Sequence, residues 1–166
     1  MAKEVISIFV ENQSNVLTRI SSLFGRRGFN IDSLTVSTTD DPKISRITVV
    51  FEGSGQKLQQ ILTQTEKLEI VKEVRLLKKS ESLFRELLLL KIACDKYNRA
   101  GIVQIVDIYR GKIISLNKEC MIIELTGAPE KIDGFLDMVS CYEIMEICRT
   151  GITGISRNAI VDSEDV

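Results

Sequence analysis

Asn12-Gln13-Ser14-Asn15 places three carboxamides and a hydroxyl in one short loop. Such groups can donate and accept hydrogen bonds together, which is what holding a small zwitterion requires. The apolar run Val5 to Val10 precedes the loop, and Val16, Leu17, Ile20, Leu23 and Phe24 follow it at helical spacing. A helix beginning here would offer unpaired N–H groups and the positive end of its dipole to a carboxylate. Gly25-Arg26-Arg27-Gly28-Phe29-Asn30 then ends the helix and leads into Ile31 and a strand. Asn30 supplies a further donor and acceptor, matching the acid and ammonium ends of an α-amino acid. The plainer account of Asn12 and Ser14 is helix capping, and because that role is so common the residues alone favour it. Gly25-x-x-Gly28 is no dinucleotide fingerprint, because it follows a helix and the fingerprint follows a strand.

Other chemistry is thinly represented. The chain has 166 residues and no histidine, which removes the commonest general base, the commonest zinc ligand and every His-dependent triad. Its four cysteines, Cys94, Cys120, Cys141 and Cys148, form no C-x-x-C pair and sit beside apolar residues. They read as buried free thiols of a reducing cytosol. A small enzyme working through Arg26, Arg27 or Asp32 is a rival reading, but no nucleophile–base pair accompanies these residues. An RNA-binding module of the same strand order would need strand aromatics and a basic face. Aromatic residues make up 5% and the net charge is −1, so nucleic acid is not the expected partner. The longest apolar stretch, Leu87 to Leu90, is too short for a bilayer, and the N-terminus lacks a signal-peptide core. A soluble, cytoplasmic protein without membrane contact is expected.

The positioning elements follow from periodicity. Val5 to Val10 is a strand. The helix from Val16 has Ser14 as its candidate N-cap and Gly28 as its stop. Ile31 to Thr38 and the alternating Ile47, Val49 and Phe51 form strands around the turn Asp40-Asp41-Pro42. Ser54 caps a helix carrying Leu58, Ile61, Leu62, Thr65 and Leu68, and Ile70 to Leu77 closes the unit. A polar stretch follows, and the order then repeats. Leu87 to Cys94 is a strand, and Ile102, Ile105, Val106 and Tyr109 share a helix face. Lys112 to Leu116 and Cys120 to Thr126 are strands. Pro129 opens a helix, where its missing N–H costs nothing. Glu143 to Arg149 is the last strand, and the tail from Gly151 is expected to fray. Two β-α-β-β-α-β units imply an α+β fold of two ferredoxin-like repeats, with antiparallel sheets and helices on one face. The strands are apolar on both sides, so each open sheet face is expected to meet a second copy, or sheets to join edge to edge.

Ser22-Leu23-Phe24-Gly25-Arg26-Arg27-Gly28-Phe29-Asn30-Ile31-Asp32-Ser33-Leu34-Thr35-Val36, followed by Asp41-Pro42-Lys43-Ile44-Ser45-Arg46-Ile47-Thr48, resembles the regulatory subunits of acetohydroxyacid (acetolactate) synthase. Arg85-Glu86-Leu87, Tyr109 to Ile114, Leu125-Thr126-Gly127 and Glu146 to Gly151 fall where that family has similar strings. The resemblance covers nearly the whole chain, and the combination in this order is specific.

The resemblance implies an N-terminal amino-acid-sensing ACT domain over 1–78 and a linker over 79–82. A C-terminal ferredoxin-like domain over 83–158 and a flexible tail over 159–166 complete it. It implies no catalytic residue, metal or cofactor on this chain. Thiamine diphosphate, magnesium and FAD would belong to the large catalytic subunit, which the chain would activate. Feedback inhibition by valine or a related branched-chain amino acid would regulate valine, leucine and isoleucine biosynthesis. The effector would sit between the ACT domains of a homodimer. It would contact Asn12, Asn15, Val16 and Leu17 of one copy and Asn30 and Ile31 of the other. Asn15 departs from the glycine usual in the family's loop. Asn tolerates φ > 0, but it adds bulk where a carboxylate would rest. Ser115 and Asn158 are smaller departures, where the family often has Asp and Gly.

Overall fold

A computed structural model describes residues 3–157 of the chain. Contacts divide it into two units. The first takes in the chain up to Leu83 together with the segment from Ile152; the second is Phe84–Gly151.

The first unit contains β1 (Lys3–Glu11), α1 (Val16–Arg26), β2 (Ile31–Thr38), β3 (Ile44–Glu52), α2 (Gly55–Glu66) and β4 (Val71–Leu76). Its antiparallel sheet has the order β2-β3-β1-β4. Strand alternation turns Ile6, Ile8 and Val10 of β1 to the same side as Ile47, Val49 and Phe51 of β3. All six are fully buried, against Val16, Ile20, Leu23 and Phe24 of α1 and Ile61 of α2. Full burial of each such side chain contributes about 1.5–3 kcal/mol.

The end of α1 is set by Gly28, whose φ is 73°. The Gly28 N–H donates to the Gly25 carbonyl, and the Phe29 N–H reaches back to the Phe24 carbonyl, each at 3.0 Å. This pair of bonds satisfies carbonyls that the last helical turn leaves open. It also turns Phe29 onto Phe24, with ring centroids 6.2 Å apart, and Phe51 meets both edge-on. Helix end and strand start are thereby locked together. At the other end, the helix begins one residue later than Ser14 implies: Asn15 is the N-cap residue.

The helix-free face of this sheet carries Ser7, Thr35, Arg46 and Thr48. Ser7 and Thr48 are buried there. The expectation that a second copy covers this face is modified by the chain itself. Thr35 Oγ1 donates to the Ile152 carbonyl at 3.3 Å, and Arg46 donates to the Gly154 carbonyl. The Arg157 N–H donates to the Glu81 carbonyl at 2.8 Å. The segment expected to fray is therefore ordered: it contains β9 (Thr153–Ser156), and Gly154 is buried. These contacts join residues 152–157 to the first unit, although the family resemblance places them in the C-terminal domain over 83–158. Asn158 and the tail over 159–166 lie outside the described residues.

The second unit contains β5 (Ser82–Ala93), α3 (Arg99–Ile108), β6 (Lys112–Leu116), β7 (Cys120–Gly127), α4 (Pro129–Val139) and β8 (Ile144–Arg149). β5 starts at Ser82, five residues before the apolar run that announces it, and its first residues belong to the first unit. The sheet order is β6-β7-β5-β8, with β9 pairing to β5. Leu88, Leu90 and Ile92 pack with Met121, Ile123 and Leu125 beneath Ile102, Val106, Ile132, Phe135 and Val139. At the sheet edge, Arg149 pairs with the buried Glu86 and with Asp133 at 2.7 Å. Burial pulls the Arg149 pKa down, but the bonds to Glu86 and Asp133 outweigh it and hold the value above the ordinary one.

A Cβ at Gly28 would meet no atom within 4 Å, so the cost of a side chain there is conformational alone. Gly28→Ala is expected to lower unfolding free energy by about 1–2 kcal/mol. Urea denaturation checks this, and an unchanged midpoint would contradict it.

Candidate functional site

The loop between β1 and α1 opens into a pocket of about 360 Å³. Asn12, Gln13 and Asn15 form its polar end, and the buried Val10, Val16 and Ile47 form its apolar floor. Leu17 and Val36 stand at its edge, 46% and 44% exposed. Exposed aliphatic groups beside polar ones suit a ligand that is apolar at one end and charged at the other.

The polar end is built by one unusual backbone residue. Asn15 has φ 67° and ψ 4°, and its side chain makes no capping bond. The first intrahelical bond runs from the Arg19 N–H to the Asn15 carbonyl at 3.1 Å. The amides of Val16, Leu17 and Thr18 therefore precede the helical ladder, as the first amides of any helix do. Val16, Leu17 and Thr18 line the pocket, at the positive end of the helix dipole. The left-handed geometry wanted of a glycine is thus present with asparagine in its place.

Asn12 has a different position from that of a free ligand group. Its N–H donates to the Lys43 carbonyl at 2.7 Å, and its Nδ2 donates to the Pro42 carbonyl at 2.9 Å. It clips the loop to the turn before β3, leaving only its side-chain oxygen. Gln13 leans back onto Glu11, which is paired with Lys72.

Asn12, Asn15, Val16 and Leu17 are brought together in this pocket, whereas Asn30 and Ile31 are not. Val36 is opposite Ile47 on β3, but Ile31 is opposite Phe51. The four-residue offset along β3 is about 13 Å. Asn30 instead bonds Asp32 at 3.4 Å, and Asp32 pairs with Lys3 at 3.1 Å. Val10, Thr18, Val36, Ser45 and Ile47 also line the pocket and were not among the residues expected to bind. The alternation of Leu34 and Val36 with Thr35 was the available signal for Val36.

The matching loop of the second unit lines a pocket of about 310 Å³, but its side chains are bound to its own main chain. Asp95 accepts the N–H groups of Tyr97 and Asn98 at 2.8 and 2.9 Å, and Asn98 accepts the Asp95 N–H at 2.8 Å. The Asn98 and Tyr97 bonds hold the Asp95 carboxyl below its usual pKa. Here the loop serves its own amides. No group of three or more His, Cys, Asp or Glu among the described residues could hold a metal, and no helix there is long and apolar enough to cross a membrane.

Two family models match in tandem: the AHAS small subunit-like ACT domain over residues 6–73 and the small subunit of acetolactate synthase over 85–158. The chain belongs to the acetolactate synthase small-subunit family. Among small subunits similar to it, the probable one of Methanothermobacter thermautotrophicus is 39% identical over 93% of both chains. The isozyme 3 small subunit of Escherichia coli is 37% identical over 93% of this chain and 96% of its own. The crystal structure of the acetolactate synthase small subunit from Thermotoga maritima matches with a TM-score of 0.88 and 34% identity. It covers 96% of this chain and 100% of that one. The small-subunit family thus accounts for both repeats.

The left-handed position makes Asn15 sensitive to Cβ sterics. Asn15→Ala is expected to destabilise the first unit by about 1 kcal/mol, and Asn15→Gly to leave it unchanged or slightly firmer. Thermal melting of the two variants checks this; equal losses would show that φ is not the constraint.

Proposed function

We propose that this chain is the non-catalytic regulatory subunit of acetolactate synthase in branched-chain amino-acid biosynthesis. In this reading it binds and activates the large catalytic subunit, where thiamine diphosphate, magnesium and FAD reside, and makes that subunit responsive to valine or a related amino acid. Residues 1–78 act as the sensor and 83–158 as the second regulatory domain. The supporting observation is the pocket at the start of α1, with free amides at one end and aliphatic walls at the other.

The effector's carboxylate binds the amides of Val16 to Thr18, near Asn15. Its branched side chain lies against Leu17, Val36 and Ile47. The Asn12 side-chain oxygen offers the ammonium one acceptor, and a second copy completes the set. β2 is an edge strand, so two copies can join β2 to β2. In an antiparallel junction about a two-fold axis, the start of one β2 lies beside the end of the other. Asn30 and Ile31 of a second copy then approach Val36, although within one chain they lie far from it. The effector bridges two sensor domains and favours one arrangement of the dimer. A differential affinity of about 1–3 kcal/mol suffices for several-fold to hundredfold regulation.

Calorimetry with valine, leucine and isoleucine, run beside activity of the catalytic subunit, tests this. Binding is expected with at least one of the three, and Asn30→Ala should weaken it about tenfold, the worth of one hydrogen bond to a charged group. Binding unaffected by Asn30→Ala, or by a monomeric state, would sink the bridged site. No heat with any amino acid, yet clear activation of the catalytic subunit, would keep the partner and discard the sensor.

Asn15→Gly removes bulk beside the carboxylate subsite. It is expected to tighten the amino acid and lower the concentration giving half-inhibition; weaker binding would assign the Asn15 carboxamide a direct contact instead.

A further inference from the structure

Arg46 occupies a place that surface arginines seldom take. It projects from β3 onto the helix-free face of the first sheet and is half-buried. Its Nε donates to Ser7 Oγ at 2.8 Å, and its guanidinium lies 5.3 Å from the Phe9 ring centroid. Arg75 lies 4.8 Å from the same ring. Burial, and secondarily the Arg75 charge, lowers the Arg46 pKa. Among the described residues no carboxylate pairs with Arg46. Its remaining bond goes to the main-chain carbonyl of Gly154. Arg75 is itself paired with Glu73, so Arg46 is the half-buried cation without a carboxylate, and such a group costs free energy unless its bonds offset it.

The second anchor is Thr35 on β2, which holds the Ile152 carbonyl. Ile152 and Gly154 are two residues apart, so in extended backbone their carbonyls point the same way. Both anchors are immediate neighbours of pocket residues. Thr35 precedes Val36, and Arg46 lies between Ser45 and Ile47. Strand alternation sends Val36, Ser45 and Ile47 to the pocket side and Thr35 and Arg46 to the other. Only Thr150 and Gly151 separate the held segment from Arg149, the last residue of β8.

We propose that Arg46 is a positioning residue which, with Thr35, clamps residues 152–157 as a strap, so that occupation of the pocket on one side of β2 and β3 is passed to the chain leaving β8 on the other. This rests on the effector reading of the pocket. A bound effector fixes Val36 and Ile47; the same two strand segments then present Thr35 and Arg46 in one arrangement, and the strap follows. Loosening the clamp should leave the effector bound and its message undelivered.

The test uses the full chain, alone and with its catalytic subunit, comparing Arg46→Gln, Arg46→Lys and Thr35→Val with the unaltered protein. In Arg46→Gln, amide hydrogen exchange within 152–157 is expected to rise about tenfold, the loss of one charged hydrogen bond, while exchange in the core strands stays unchanged. Calorimetric affinity for the effector should stay within about twofold, and inhibition of the holoenzyme should fall by more than half, a split that a general loss of stability would not produce. Arg46→Lys, which keeps a charged donor, should recover part of the inhibition. Thr35→Val, a milder change, should act in the same direction if Arg46 variants fold poorly. Unchanged exchange in 152–157 would overturn the clamp. Faster exchange with full inhibition would overturn the coupling. If the unaltered chain binds no amino acid, the effector reading and the coupling fall together, and exchange alone decides the clamp.

Discussion

The pleat of β2 and β3 is the constraint on which the first unit depends. Successive side chains of a strand must point to opposite faces. Val49 and Phe51 therefore enter the core while Thr48 and Val50 cannot. The same rule sorts Ser45 and Ile47 from Arg46, and Val36 from Thr35. A one-residue slip in register would exchange every one of these assignments. The aliphatic core under α1 and α2 forbids that slip, because it would carry Arg46 into the core and Ile47 out. Burial of the core thus holds the two faces of the sheet in one relation, and both the pocket and the strap borrow their geometry from it.

The two repeats share a strand order and differ where a helix begins. Both loops must satisfy the first amides of a helix, which have no partner within it. In the second unit the Asp95 and Asn98 side chains bond the loop's own amides, those of Asp95, Tyr97 and Asn98, just before α3. Asn15 does not, and its left-handed backbone turns the loop aside and leaves the amides open. One topology therefore yields a loop braced by its own side chains before one helix and a left-handed N-cap residue before the other. The difference lies in a few side chains, and no feature of strand order would disclose it.

Much of this was legible in the chain. Ile31 to Thr38 and Lys112 to Leu116 stand as strands where alternation places them, and Pro129 opens α4. Gly28 ends α1 because a left-handed residue must follow that last turn. Local chemistry is sufficient for such features. Other features depend on distant partners. Ser14 is a good cap by type, but the loop path set by Asn12 and Pro42 hands the position to Asn15. β9 is four residues long and contains a glycine, so no periodicity marks it. Asn30 lies apart from Asn15 in one chain because β2 runs the length of the sheet between them.

The strap also makes the first unit discontinuous in the chain. Thr35 and Ile152 are 117 positions apart, and Arg46 and Gly154 are 108. During synthesis the N-terminal strands emerge first and can bury their aliphatic core at once. The face bearing Ser7 and Arg46 waits until the whole second repeat has left the ribosome. Closing so long a loop is entropically slow relative to local pairing. The order of synthesis thus separates the two tasks: the core needs only the first repeat, whereas this face needs residues 152–157 from beyond the second.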